Sequence, residues 1–364
     1  STVTESSIHI NKRVSITNQG DINPDLAVLL STSGTTGSSK LVRLSYNNLQ
    51  VNAESIAEYL GITEDECPIT SLPMSYSYGL SVLNSHLLKG ATIVLTNGSF
   101  ILRNFWSTFN KYQCTSFAGV PYSYQLLKKI NFEKIDLPTL KTLTQAGGNL
   151  SENYQKYFME ISEKKGIKFF VMYGQTEATA RISYVPHENL KNKLGSIGIP
   201  IPNGELKLYS DGNLITESDR EGELVYFGEN VMLGYAVDRS SLKNGDELDG
   251  VLYTGDLGKM DNDGYFYITG RAKRFIKVFG LRLNLDEVER MIENYLHLPT
   301  ACIGNDDKLQ ILIQTEREDV SIEVRKLIKK MYKLHDSVIK VNIVQRIPVT
   351  SSGKRDYKRM FELL

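Results

Sequence analysis

The segment Ser31-Thr32-Ser33-Gly34-Thr35-Thr36-Gly37-Ser38-Ser39-Lys40 follows directly on the apolar run Ala27–Leu30. Small residues such as Gly34 and Gly37 let backbone N–H groups approach phosphate oxygens closely. Hydroxyls at Ser33, Thr35 and Thr36 add donors, and Lys40 adds a positive charge. A Walker phosphate loop requires Gly immediately before its Lys; Ser39 stands there, so that class of ATPase or kinase is set aside. Taken alone, the segment also reads as a flexible polar turn. Two further segments carry groups suited to a nucleotide. Paired glycines in Gln145-Ala146-Gly147-Gly148-Asn149 allow a flat base to lie against the main chain, although an ordinary strand-to-helix turn uses the same residues. Tyr173-Gly174-Gln175-Thr176-Glu177 ends in a carboxylate, the oxygen ligand that a hard cation bridging phosphates prefers; a solvated loop charge is the plainer reading.

These residues must be positioned by a sizeable fold. The chain has 364 residues, beyond the size at which one core usually keeps growing, so two or more domains are expected. Hydrophobic residues make up 41% and charged residues 23%, as in ordinary globular proteins. Lys+Arg and Asp+Glu are both 42, so no global basic field favours nucleic acid or an anionic membrane. No apolar run approaches the length of a membrane span. The three cysteines, Cys67, Cys114 and Cys302, are odd in number and form no CxxC pair. That argues against a disulfide framework or a zinc site and fits a reducing cytoplasm.

Periodicity predicts a helix over about Asn47–Leu60, with Asn47 as its cap, and a buried strand at Ala91–Leu95. A short β-like stretch is expected at Ile8–Val14. Helix-like and strand-like pieces alternate to about residue 185, which predicts layered α/β structure with much parallel sheet. After residue 195 short β segments dominate: Glu205–Tyr209, Glu223–Phe227 and Tyr265–Thr269. Asn262-Asp263-Gly264 reads as a hairpin turn. A compact α/β tail follows. Asn284 and Glu287 suggest a capped helix with Leu285, Val288, Ile292 and Leu296 inward. A strand at Leu309–Gln314, a helix near Ser321–Met331 and a strand at Ile339–Val344 complete the tail.

The loop at residues 31–40 resembles the glycine-rich loop of the AMP-forming acyl-CoA synthetase, adenylation-domain and luciferase superfamily. Ser39 replaces the usual Pro and Leu41 the usual Gly. The other motifs of that family occur in the same order. Leu72–Leu80 is similar to the segment bearing an aromatic gate beside the acyl pocket, with Tyr76 where many members have His. The resemblance implies a pocket formed by Tyr76, Gly79, Gly119 and Val120. It implies that Gly147 and Gly148 lie along adenine, that Tyr173 and Gly174 flank it, that Thr176 contacts the α-phosphate and that Glu177 helps hold Mg²⁺. Gly222-Glu223-Leu224 and Gly234-Tyr235 resemble a family strand pair and read as structure.

In Tyr253-Thr254-Gly255-Asp256 the resemblance implies an Asp256 carboxylate accepting from both ribose hydroxyls; an Asp ending a turn is the plainer reading. The segment 270–280 resembles the family hinge, with Arg271 near ribose and phosphates, Lys273 at the pivot and Gly280 bordering a thiol tunnel. Pro348-Val349-Thr350-Ser351-Ser352-Gly353-Lys354 matches P-x-T-x-x-G-K, placing Lys354 between the substrate carboxylate and the α-phosphate.

The implied protein is an AMP-forming acid–thiol ligase. It would use ATP and Mg²⁺ to convert a carboxylic acid to acyl-AMP. Transfer to coenzyme A or to the phosphopantetheine of an acyl carrier protein would follow. The implied fold is a large adenylate-forming domain over 1–272, layered α/β with a β-rich subdomain, and a small mobile α/β domain over 273–364. Family members carry a longer region before the glycine-rich loop, so the large domain is expected to be shortened at its N-terminus. A truncated, non-catalytic binding module and an amino-acid adenylation domain are the alternatives. Leu72–Leu80 lacks the Asp that binds an α-amino group in amino-acid-activating members, which favours an acyl or aryl acid.

Overall fold

The structure is a computed structural model and describes residues 21–31, 40–271, 274–278, 281–305, 308–350 and 354–362. The stretch Ile8–Val14 lies outside the described residues. A five-stranded sheet runs in the order Ser116–Gly119, Thr142–Gln145, Lys168–Tyr173, Ser183–Val185, Ile199–Pro200. Its first three strands are parallel and the last two antiparallel. The parallel strands are apolar on both faces, as in Phe169-Phe170-Val171-Met172, because helices cover both sides. Helices Arg103–Lys111, Pro121–Lys129 and Glu152–Lys165 contribute to a core dense in aromatic rings. Trp106 meets Phe117 edge-on at 5.6 Å, and Tyr124 meets Phe158 at 4.8 Å. Such pairs add to the burial of their large apolar areas. The expected strand at Ala91–Leu95 reduces to one parallel bridge, Ile69↔Val94.

The first described helix spans Tyr46–Leu60, and its cap is Ser45, not Asn47. Ser45 Oγ accepts from Asn48 N at 3.0 Å, and Asn48 Oδ1 accepts from Ser45 N at 2.9 Å. This reciprocal pairing satisfies two otherwise orphaned donors. The helix Ser77–Leu88 packs alongside it.

A second five-stranded sheet is wholly antiparallel, in the order Phe266–Arg271, Val251–Met260, Gly222–Phe227, Glu205–Ser210, Asn213–Ile215. Gly264, at φ +81°, makes the turn between Val251–Met260 and Phe266–Arg271. The two strands expected to pair, Gly222–Phe227 and Gly234–Ala236, do not. Gly234–Ala236 instead joins Leu41–Ser45 and Leu26–Ser31 in a separate three-stranded sheet.

Residues after 274 build their own core. A hairpin of Phe275–Val278 and Leu281–Asn284 leads into the helix Leu285–Leu296, capped by Asn284 Oδ1. The sheet Thr300–Asn305, Lys308–Gln314, Ile339–Val344 has one antiparallel and one parallel junction, and the helix Val320–Tyr332 bridges the latter. Val288, Ile292, Ile311, Ile313, Val324 and Ile328 are fully buried there. Among the described residues, no helix is long and apolar enough to cross a membrane.

Candidate active site

Asp256 lies within the strand Val251–Met260 and does not end a turn. Just beyond it the register shifts between Leu257 and Gly258, and Arg271 stands directly opposite. Asp256 is 3% exposed. Its Oδ2 accepts from the Tyr173 hydroxyl at 2.5 Å and from Gln175 Nε2 at 2.9 Å; its Oδ1 faces Arg271 Nε at 3.0 Å. Gln175 Nε2 also donates to Thr254 O at 3.0 Å. A buried carboxylate held by this many donors is a fixed, strong hydrogen-bond acceptor. Burial, then the charge of Asp256, pushes the Tyr173 phenol well above its ordinary pKa, so it remains a donor.

Glu177 sits on a short 3₁₀ turn, Thr176–Ala178, directly after the strand Lys168–Tyr173. Its Oε1 accepts the Tyr235 hydroxyl at 2.9 Å, and its carbonyl accepts from Met232 N at 2.9 Å. The Tyr235 ring lies 5.4 Å from Lys40 Nζ, within cation–π range. Thr176 and Ser77 share a hydroxyl–hydroxyl hydrogen bond at 3.1 Å. Gly174 is required by close approach: a Cβ there would lie 1.9 Å from Ala180 O. Gly147 adopts φ +84°, and its Cβ would fall 2.4 Å from the Tyr76 hydroxyl. Val120 is the next contact, Gly148 faces Pro121, and Gly119 ends the strand Ser116–Gly119. Tyr76 caps the helix Ser77–Leu88, whose Gly79 packs on the Pro73 carbonyl.

Thr350 N donates to Lys354 O at 2.7 Å, and Lys354 N donates to Thr350 Oγ1 at 3.2 Å. Lys354 Nζ stands 5.8 Å from the centre of the Tyr76 ring. Burial, then the positive charge of Arg271, lowers its pKa, while Glu177 and Asp256 oppose the shift. Lys354 is therefore within electrostatic reach of all three. Residues separated by more than 170 positions in the chain thus come close to one another. Ser33, Gly34, Thr35, Thr36, Gly37, Lys273 and Gly280 lie outside the described residues.

The chain is 27% identical over 365 aligned residues to an oxalate–CoA ligase of Arabidopsis thaliana, covering 97% of this chain and 70% of that protein. A 2-succinylbenzoate–CoA ligase of Bacillus subtilis is 31% identical over 78% of this chain and 56% of its own length. A model of the AMP-binding enzyme family matches residues 5–236. The chain belongs to the AMP-binding enzyme family. Among solved AMP-binding enzymes, the o-succinylbenzoate–CoA synthetase of Bacillus subtilis superposes with a TM-score of 0.78 in its complex with an acyl-adenylate intermediate. The likeness covers 93% of this chain and 70% of that one at 26% identity. The same enzyme with ATP and magnesium superposes at 0.77 and 27% identity.

Three contributors to this AMP-binding site carried no assigned role in the sequence. Gln175 occupies the variable position of its motif, yet it bonds both Asp256 and Tyr173. Tyr235 read as structural, yet it orients Glu177. Glu289 lies far from any motif, yet it anchors the residue next to Lys354: Arg355 Nη1 donates to Glu289 Oε2 at 2.7 Å. A buried acid at the inner face of the helix Leu285–Leu296 was the available signal.

Proposed function

We propose that this chain activates a carboxylic acid as acyl-AMP at the cleft formed by Tyr173, Glu177, Asp256, Arg271 and Lys354. The reading rests on one observation: a half-buried lysine from the C-terminal core feels the charges of Glu177, Asp256 and Arg271 together. Asp256, held by Tyr173 and Gln175, offers a fixed acceptor for the ribose diol, and Arg271 beside it offers positive charge to the phosphates. The Lys354 ammonium would meet both the incoming carboxylate and the α-phosphate. A carboxylate oxygen forms the new bond to the α-phosphorus as the bond to the bridging oxygen of pyrophosphate breaks. Carboxylates are weak nucleophiles at phosphorus, so positioning and charge neutralisation supply most of the rate.

The acidic residues present suit magnesium. Glu177 is a single carboxylate turned by Tyr235, and magnesium takes one or two carboxylates and fills its shell with water and phosphate oxygens. When bound, the ion supplies positive charge to the departing pyrophosphate. In the second step, the thiol of coenzyme A or of a carrier's phosphopantetheine would attack the acyl carbonyl and release AMP. The relatives named as CoA ligases support coenzyme A as that acceptor. The remaining site assignments, including Thr176 at the α-phosphate and Gly147 and Gly148 along the base, belong to the same proposal, as does a cytoplasmic location.

Acid-dependent exchange of labelled pyrophosphate into ATP tests the reading. Exchange that requires a carboxylic acid is the expected result. ATP binding without exchange, across acids of varied size, would leave only a nucleotide-binding module.

A further inference from the structure

Arg181 is an arginine buried to 2% exposure. Among the described residues no carboxylate lies within ion-pair distance of it. Its Nη1 makes one long contact to Ala180 O, at 3.3 Å, and its Nε has no hydrogen-bond partner. Arg43, equally buried, is different: it pairs with Glu247 at 3.1 Å and donates to three backbone carbonyls. A guanidinium carries five N–H donors and stays charged at any physiological pH. Leaving such a group buried without an anion is among the more costly arrangements in a fold.

Three tyrosines surround the charge without neutralising it. The guanidinium lies 4.0 Å from the centre of the Tyr78 ring, while the Tyr59 hydroxyl donates to Met172 Sδ at 3.0 Å. Burial raises the phenols of Tyr59, Tyr76 and Tyr78, Tyr59 to about 12, so none becomes the missing anion near neutral pH.

Arg181 also lines a cavity of about 30 Å³, with Ser81, Ser85 and Thr144 on its polar side and Ile56, Leu60 and Phe117 on its apolar side. Glu66 borders the same cavity but is engaged by Lys141 at 3.4 Å and by the Thr115 hydroxyl. Burial lowers the pKa of His86, whose Nδ1 meets Val82 O at 2.8 Å, so Arg181 is the lasting cation among the described lining residues. The volume holds about two waters, or a group of a few heavy atoms, and excludes a long alkyl tail.

The cavity lies behind the candidate active site. A Cβ on Gly174 would meet Arg181 Cα at 2.9 Å, so Arg181 backs directly onto the Tyr173–Glu177 segment. Lys354 stands 5.8 Å from the Tyr76 ring, Tyr76 and Tyr78 lie 6.3 Å apart, and Tyr78 carries Arg181 on its face. Two rings, Tyr76 and Tyr78, therefore stand between Lys354 and the guanidinium.

We infer that Arg181 is the specificity determinant of the acid site and receives a second carboxylate at the far end of a short dicarboxylic acid. The near carboxylate reacts at Lys354, and the far one supplies the anion that the fold leaves out. The inference rests on the adenylation reading above and adds a substrate class to it.

The test is pyrophosphate exchange with matched acids: butanoate against butanedioate, hexanoate against hexanedioate, benzoate against benzene-1,2-dicarboxylate. The wild-type chain should favour one diacid over its matched monoacid by at least about tenfold in kcat/KM, the scale of a buried charge pair. Arg181→Met should lower that diacid-to-monoacid ratio by about a hundredfold, and Arg181→Lys should restore part of it. A wild-type preference below tenfold at every length overturns the inference, and this result needs no variant to fold. So does an Arg181→Met protein whose two activities fall by the same factor. Exchange with monoacids alone leaves adenylation standing and removes the dicarboxylate; exchange with no acid removes both.

Discussion

Replacing Tyr235 by Phe takes one hydroxyl from the site and leaves its ring beneath Lys40. That hydroxyl donates to Glu177 Oε1 at 2.9 Å. Burial, followed by the charge of Glu177, raises the phenol's pKa, so the donor persists through neutral pH. A hydrogen bond to a charged group contributes about 1.5–3 kcal/mol when well buried. Tyr235 is partly exposed, so solvent screening reduces this to about 1–1.5 kcal/mol. At 1.4 kcal/mol per tenfold, the loss corresponds to a factor of roughly five to ten. It should appear in magnesium dependence, because outer partners of a metal-binding carboxylate act through the metal's affinity. The assay is pyrophosphate exchange at saturating acid and ATP while magnesium is titrated. The Tyr235→Phe midpoint should move to a five- to tenfold higher concentration, with most of the plateau regained. A stably folded variant with an unmoved midpoint would refute the role given to Tyr235 and weaken that given to Glu177.

Three other outcomes are expected. Lys354→Ala should slow acyl-AMP formation by about a hundred- to a thousandfold, the loss of one transition-state donor, while sparing thioester formation from supplied acyl-AMP; near-normal adenylation in single-turnover measurements would remove Lys354 from the mechanism. The ammonium form of Lys354 is the working form and its pKa is lowered by burial and Arg271. Hence kcat/KM for adenylation should fall as pH rises through a value below the ordinary lysine pKa of about 10.4. A pH profile flat to that value would contradict the electrostatics. Glu289→Gln should destabilise the protein by about 3 kcal/mol, as breaking a buried ion pair does, and lower Tm; an unchanged calorimetric transition would show the cluster to be dispensable.

The parts of the site that were legible are those whose chemistry is local. Tyr173 through Glu177 and Tyr253 through Asp256 are contiguous segments that the family resemblance singles out, and the fold brings Tyr173, Gln175 and Asp256 into contact. The helix Leu285–Leu296 was legible too, because its inward positions and Asn284 cap are both short-range signals. Legibility fails where a partner is supplied by tertiary structure. Asn47 and Ser45 are both good caps; the strand Leu41–Ser45 ends at Ser45 and decides between them. Ala91–Leu95 has strand composition, but only Val94 finds a bridge partner. The Gly222 and Gly234 strands look like neighbours because 12 positions separate them, yet each has a better partner elsewhere. Tyr235 and Glu177 are 58 residues apart, and no pattern within either segment points to the other. For Arg181 the defining feature is an absent counter-ion, which appears only once its surroundings are known.

The ionic cluster around Glu289 explains how a lysine near the C-terminus can be aimed at all. Glu289 Oε1 accepts from Cys302 N at 2.7 Å and Arg274 Nη2 at 2.9 Å; Oε2 accepts from Arg355 Nη1 at 2.7 Å and the Tyr357 hydroxyl at 3.0 Å. Four donors fill the acceptor sites of one carboxylate, so the buried charge is fully satisfied. Arg355 also pairs with Glu293, and Arg274 with Asp286 while lying 3.7 Å from the centre of the Tyr357 ring. Arg355 immediately follows Lys354, and Arg274 begins the strand region after Arg271 and the hinge-like segment. One side chain on the helix Leu285–Leu296 therefore ties the lysine loop to the chain leaving the nucleotide sheet. A flexible loop could not hold an ammonium near Tyr76 against the cost of burying it. Fixing the neighbouring residue through a satisfied carboxylate shifts that cost onto the folding of the C-terminal core, where hydrophobic burial offsets it.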